Sequence, residues 1–188
     1  MLQPYLFTSD RLGFRNWQST DLDILADINA DEEVMQYFPA TQNRERTQQF
    51  IDRMQKQFAE RGYCYFAVEK LTTNEVIGFI GLAYQSFEAP FTPCVDIGWR
   101  LARQHWNQGY ATEGAKRCLQ HAFLELGLEY ICATAAAINV PSIHVMKKIG
   151  LQFDYEFEHP KLLNFDRIRN CVLYSIDAAT YQKQLTNH

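Results

Sequence analysis

The chain has 188 residues, 47% of them apolar and 14% aromatic, which suits one domain spanning residues 1–188 with a sizeable core and argues against a disordered chain. Its 22 acidic and 18 basic side chains are interspersed and leave a formal charge of -4, so nucleic acid is not expected as a partner, because backbone binding needs a basic face. The opening "MLQPYLFTSDRL" lacks the basic start and apolar run of a secretion signal, and no stretch approaches the ~18 apolar residues of a membrane span. A cytoplasmic protein with no membrane partner is expected.

In chain order, "LFTSDRLGFRNW" alternates as a strand, with Leu12, Phe14 and Asn16 on one face and Arg11, Gly13 and Arg15 on the other. "STDLDILADINADEEV" predicts a helix capped by Ser19 or Thr20, with Asp21 and Asp23 at its positive end. "TQNRERTQQFIDRMQKQFAERG" predicts a second helix closed by Gly62. Its thin apolar stripe of Phe50, Ile51, Met54 and Phe58 marks a surface helix. "YCYFAVEK" and "EVIGFIGLAY" read as strands joined by "LTTN". "PCVDIGWRL" is a third strand, with Val95, Ile97, Trp99 and Leu101 alternating against Asp96, Gly98 and Arg100, and "SFEAPFTP" before it is a loop. Ala111, Ala115, Cys118, Leu119, Ala122, Phe123 and Leu126 then recur at the helical period. "LEYICATAAA" is a buried strand, and "NVPSIHVMKKIG" a short helix with Asn139 as cap, Pro141 in its first turn and Gly150 as stop. The strands "LQFDYEFEH" and "RNCVLYSID" close the chain around the loop "PKLLNFD". The order describes one α+β domain with a mixed, mostly antiparallel central sheet flanked by helices.

The stretch with most chemical content is "WNQGYATEG", a glycine loop at the mouth of the long helix. It reads as a plain turn or as an anion cradle, since the first amides of a helix have no internal partner and carry its positive end. No GxxxxGK[ST] and no GxGxxG accompany it, so neither a nucleotide triphosphatase nor a dinucleotide fold is indicated. The five cysteines (Cys64, Cys94, Cys118, Cys132 and Cys171) form no CxxC pair and read as reduced residues. His105, His121 and His144 are spaced too irregularly for a metal site, and no metal is expected.

"VDIGWRLARQHWNQGYATEGAKRCLQHAFLELG", "NVPSIHVMKKIGLQF", "TSDRLGFRNWQSTDLDIL", "DEEVMQYFP" and "IGFIGL", with their order and gaps, resemble the GNAT superfamily of acetyl-CoA-dependent N-acetyltransferases. More narrowly, the chain resembles the branch that includes the bacterial ribosomal-protein N-terminal acetyltransferases. The resemblance covers nearly the whole chain and implies the acyl-CoA N-acyltransferase fold, in a monomer or a homodimer. It implies acetyl-CoA as cosubstrate and a primary amine as acceptor, on a small molecule or at a protein N-terminus, with direct attack in a ternary complex. Trp99, Arg100 and Leu101 would run beside the pantetheine arm, with the amide near Leu101 close to the thioester carbonyl. Trp106, Asn107, Gln108, Gly109, Tyr110, Ala111 and Thr112 would wrap the pyrophosphate. Asn139 would hold the pantetheine arm and Ser142 would sit near the sulfur.

Two departures from the family pattern follow. Trp106 stands where a glutamine or arginine is usual, so phosphate binding would rest on amides rather than a cation. Met146 stands where many members carry an acidic tyrosine, which leaves Ser142 to hydrogen-bond the leaving thiolate. The attacking amine must be neutral, and Asp96, Glu158 and His159 are the candidate bases, with Glu156 on the face of Glu158. Each of the three also reads as a surface residue. Tyr37, Phe38 and Phe87 read as core or as acceptor-pocket walls, Phe91 and Trp99 as core, and Lys147 and Lys148 as solvated or as partners of the adenosine phosphates. The loops "SFEAPFTP" and "HPKLLNFDR" would decide between an open groove and a closed pocket. A coenzyme A-binding or sensing module without catalysis is the alternative that Met146 suggests.

Overall fold

The opening stretch is a hairpin rather than one strand. In the computed structural model, which describes residues 5–186, β1 (Phe7–Thr8) and β2 (Leu12–Arg15) are antiparallel. Residues 1–4 of the opening stretch and 187–188 of the expected domain lie outside the described residues. Ser9 makes the turn, its amide donating to Leu12 O (2.9 Å) and its hydroxyl accepting from Leu12 N (3.2 Å).

Helix α1 (Leu22–Ala30) stops four residues short of the predicted Val34. Asp31 turns extended there, and its carboxylate accepts from the amides of Glu33 (2.9 Å) and Val34 (3.3 Å), which a continuing helix would need. The helix start also differs: Gln18 and Asp21 form the reciprocal cap, not Ser19 or Thr20. Helix α2 (Arg44–Arg61) is capped by the Asn43 side chain on Arg46 N (2.9 Å) and ends at Gly62.

The remaining elements are β3 (Tyr65–Lys70), β4 (Glu75–Gln85), β5 (Cys94–Leu101), α3 (Tyr110–Gln120, continued by a π-helical turn over His121–Glu125), β6 (Tyr130–Ala136), α4 (Val140–Lys148), β7 (Gln152–Glu158) and β8 (Asn170–Asp177). A fifth helix, α5 (Ala178–Thr186), was not expected from the sequence. It packs through Tyr181 onto Phe123 (ring centroids 4.8 Å), a long-range contact that supports a helix too short to be stable alone.

The eight strands form one sheet in the order β1-β2-β3-β4-β5-β6-β8-β7. Every neighbour pair is antiparallel except β5 and β6, which run parallel and meet at a single position, Asp96 opposite Cys132. By contrast β5 is held to β4 along its whole length, from Gln85↔Cys94 to Gly78↔Leu101. Helices α1 and α2 cover one face, where Phe50 meets Tyr65 and Phe79. On the other face α3 rests on Ile80, Leu12 and Phe14. The main core gathers side chains from both layers, including the fully buried Phe14, Phe66, Ile80 and Leu119. All five cysteines are free and buried. No helix among the described residues is long and apolar enough to cross a membrane.

Candidate active site

Past Asp96 the facing edges of β5 and β6 have no ladder between them, and a cavity of about 1150 Å³ opens in the split. Residues of both sheet faces line it, which makes it a passage through the sheet. Trp106, Gly109, Thr112, Asn139, Ser142 and Met146 stand on the α3–α4 side. Phe38, Phe50, Tyr65, Phe79, Asp96 and Arg100 stand on the α1–α2 side.

The α3 side is built by backbone. Gly109 is left-handed (φ +82°) and passes directly into helical Tyr110, the pair of conformations that forms an anion-binding nest. No side chain caps the helix at Gly109, and the first helical bond runs from Glu113 N to Gly109 O (3.0 Å). The amides of Tyr110, Ala111 and Thr112 come before that bond, at the positive end of the helix. Trp106 fastens the loop to the end of β5, its indole N–H donating to Leu101 O (2.8 Å). This explains an indole where a phosphate-binding side chain is usual: the residue shapes the backbone.

A cation does stand at this loop, although the sequence suggested none. Glu113 accepts from Ser9 Oγ (2.7 Å), Arg11 N (2.8 Å) and Arg11 Nε (2.6 Å), pinning the β1–β2 turn to the first turn of α3. Arg11 then donates from Nη1 to Gln108 O (3.1 Å) and lies over the Tyr110 ring (4.4 Å). It braces the loop from outside the cavity lining. On α4, Asn139 caps the helix as expected, its Oδ1 accepting from Ser142 N (3.2 Å) and leaving its amide NH₂ to donate. Lys148 also lines this side, whereas Lys147 does not.

Across the split, Asp96 accepts from Tyr65 Oη (2.6 Å) and Gln85 Nε2 (3.1 Å). Burial is the main cause that lifts its carboxyl to about 6, with the Tyr65 and Gln85 bonds opposing the rise. Burial and the neighbouring Asp96 charge push the Tyr65 phenol well above its ordinary value, so it donates and does not ionise. Gly98 makes room for this pair, because a Cβ there would lie 2.9 Å from the Tyr65 ring. Tyr65 stacks on Phe79 (5.1 Å) and on Phe50 (6.3 Å), fixing the phenol from behind.

Of the other expected bases, Glu158 is not brought to the cavity. Its side chain is exposed and pairs with Arg169 (3.3 Å). Glu156 is likewise exposed and outside the lining. His159 does line the cavity; its Nδ1 accepts from Lys161 N (3.2 Å), and burial together with the Lys161 charge lowers its pKa. Met146 is buried in the core beside the cavity and carries no proton to give. Tyr37, Phe38 and Trp99 line the cavity, while Phe87 and Phe91 pack instead on His159 (4.6 Å) and Phe157 (5.1 Å). The loop after β7 reaches across to the segment after α1, where Arg167 Nη1 donates to the backbone oxygen of the lining residue Gln36 (2.9 Å). His105 pairs with Glu75 (3.1 Å) and His121 with Glu125 (2.8 Å), well apart from each other.

Tyr65 and Gln85 were not expected as the partners of Asp96, nor the Arg100 side chain as part of the cavity wall. Arg100 was expected only as backbone beside the pantetheine arm, but its side chain points with Asp96 and Gly98 to the opposite face. One signal was present: the two strands that follow β3 carry glycines in register with Tyr65 (Tyr65↔Gly81, Gly81↔Gly98), as strands do where a large ring or another backbone approaches.

Residues 11–152 match the acetyltransferase (GNAT) domain family. The chain belongs to that family. As a GNAT protein it is an acetyl-CoA-dependent N-acetyltransferase, and it is similar along most of its length to several bacterial proteins. The N-acetyltransferase p20 of Bacillus licheniformis is 30% identical over 167 residues, 83% of this chain and 90% of the relative. YkkB of Bacillus subtilis is 29% identical over 77% of this chain and 84% of its own length. Among solved structures, a GNAT acetyltransferase of Bacillus anthracis superposes with a TM-score of 0.76 and 26% identity, covering 92% of this chain and 98% of the other. The spermidine N-acetyltransferase of Vibrio cholerae, in complex with CoA and spermine, shares the fold of this acetyltransferase at a TM-score of 0.71 and 18% identity, covering 92% and 98%.

Proposed function

We propose that the chain transfers the acetyl group of acetyl-CoA to the primary amine of a small molecule by direct attack in a ternary complex. The observation that carries this reading is the single cavity through the β5–β6 split, which joins the uncapped amides of α3 to the carboxylate of Asp96. The donor set suits the cosubstrate: amides at a helix mouth for a pyrophosphate, and an unpaired strand edge for an amide-bearing arm.

In this reading Asn107, Gln108 and Gly109 shape the loop and the amides of Tyr110, Ala111 and Thr112 bind the pyrophosphate. The free edge of β5 along Trp99, Arg100 and Leu101 holds the pantetheine arm, with Asn139 donating from its amide NH₂. Acetyl-CoA supplies a thioester whose carbonyl carbon takes up the amine. Asp96 accepts the proton released as the N–C bond forms, directly or through one water, and its carboxyl near 6 is ionised at neutral pH yet basic enough to take it. Ser142 donates a hydrogen bond to the sulfur as the C–S bond breaks, and the thiolate takes its proton from solvent. The bridge from Arg167 to Gln36 supports a small acceptor over an extended peptide N-terminus, since it spans the side where a peptide would lie.

Initial velocities with acetyl-CoA and a panel of small primary amines and short peptides test the proposal. Amine-dependent thiol release with intersecting double-reciprocal lines is expected. Parallel lines would indicate an acetyl-enzyme and overturn direct attack. Acetyl-CoA binding with no thiol release for any amine would favour the sensing module, to which the buried Met146 points.

A further inference from the structure

Among the described residues, Arg100 has no counter-ion. Its guanidinium lies over Phe38 (4.3 Å) and Phe79 (5.3 Å), and Nη1 donates to Asn29 Oδ1 (2.6 Å). Its Nε is buried and has no hydrogen-bond partner. Among the described residues no carboxylate comes within ion-pairing distance of it. The molecule treats its other recessed arginines differently. Arg15 is held between Asp21 (2.7 Å) and Glu69 (2.5 Å). Arg117 and Arg169, which also have a buried unbonded nitrogen, have Glu125 (2.8 Å) and Asp166 (3.0 Å) beside them.

Removing a charged group from water is costly unless the charge is met, and burial draws the Arg100 guanidinium down to about 10. The unmet charge stands in the wall of the cavity, on the same face of β5 as Asp96 and four residues along, roughly 13 Å between Cα atoms. Two ring faces and the Asn29 bond hold the guanidinium plane still. A fixed planar fork of this kind suits an oxyanion. Lys161 adds a second positive charge to the lining and Lys148 a third on the α4 side, while Asp96 is the only carboxylate among the described lining residues.

We propose that the acceptor is a small amine carrying its own oxyanion, a carboxylate or a phosphate, and that Arg100 binds that group while the amine faces Asp96. The inference rests on the transferase reading above and narrows its substrate class. A polyamine would bring further positive charge against Arg100 and Lys161, with one carboxylate to meet it. An amino acid with its reacting amine at the far end from the carboxylate, or an amino sugar phosphate, supplies the missing anion across that span, and Phe38, Phe50, Phe79 and Tyr37 offer apolar walls to the rest of it.

Matched pairs of acceptors test this. Amino acids with an amine at the far end from the carboxylate are compared with their decarboxylated amines (lysine with cadaverine, ornithine with putrescine), and amino sugar phosphates with the free amino sugars, by thiol release from acetyl-CoA. The anionic member of at least one pair is expected to have a kcat/KM about tenfold or more above its partner. Preference for the carboxylate or the phosphate series then identifies the oxyanion. Arg100→Gln should collapse that ratio and Arg100→Lys keep part of it, with an acetyl-CoA-dependent thermal shift showing that each variant is folded. A preference for anion-free amines, or a ratio unchanged in Arg100→Gln, overturns the assignment of Arg100 and leaves the transferase reading standing. No thiol release with any amine overturns both.

Discussion

Asp96 shows how much of a residue's chemistry comes from its setting. An aspartate on an alternating strand also reads as a solvated edge carboxylate; here burial lifts its carboxyl to about 6 against the Tyr65 and Gln85 bonds, which favour the charged form. Asp96→Asn should lower kcat by ~10²–10⁴-fold, the range for loss of a general base, and remove the limb of the kcat/KM profile near pH 6. The same change should stabilise the fold. In the unfolded chain the carboxyl titrates near its ordinary 3.8, in the folded one near 6, so the stability tied to its protonated form is present below the first value and lost as pH rises through the second. Asparagine cannot ionise, so melting curves should show the variant equal to wild type near pH 4 and more stable by up to about 3 kcal/mol at pH 7.5. A lower melting temperature at pH 7.5 would mean that the carboxylate is not held against a burial penalty. Ser142→Ala should reduce kcat several-fold with little change in acetyl-CoA affinity, read from thiol release and calorimetric titration.

At the scale of elements, the mouth of α3 works through backbone alone, so a residue at Gly109 acts through φ. Valine is strained at φ +82°, at a cost of ~1–3 kcal/mol or a few degrees of melting temperature, and reaching a normal φ would turn the nest amides away. Gly109→Val should raise the KM for acetyl-CoA by about tenfold or more while kcat at saturation changes little; unchanged binding would show that the amides do not hold the cosubstrate. The elements themselves were legible to the degree that their signals were local. The 3.6 period of α3, the Asn139 cap and the alternation of β5 all lie within a few residues of what they specify. The errors had two causes. Asp31 ends α1 early and Ser9 folds the opening stretch back on itself because short polar side chains capture nearby amides in competition with regular structure, whereas α5 depends on the distant contact of Tyr181 with Phe123.

At the scale of the whole molecule, the site is a gap in the sheet. Holding β5 to β4 along eight residue pairs and to β6 at one leaves strand edges free to bind another chain of amides. Hydrogen exchange should therefore report acetyl-CoA in two places at once. Amides of residues 107–112 and of the β5–β6 edges (97–101 and 133–136) should slow, and those of the β1–β2 hairpin should not. Slowing confined to α3 would mean that the arm does not run along the split.

The glycine loop, the cap of α4 and the helix that starts at Tyr110 were determined by the sequence alone, because helix mouths, caps and periodicity are written in neighbouring residues. So was the family, through several such stretches in order. Which carboxylate serves the cavity was decided only by the tertiary structure, since β7 carries Glu158 to an exposed pairing with Arg169 while Tyr65, Gln85 and Asp96 converge from three strands. Arg100 is the sharpest case. Its place in "DIGWRL" marked it as backbone beside the cosubstrate, and only packing against Phe38, Phe79 and Asn29 holds its charge in the cavity wall, with no carboxylate beside it among the described residues. Charge balance in a buried site depends on which elements meet there, and meeting is a property of the fold.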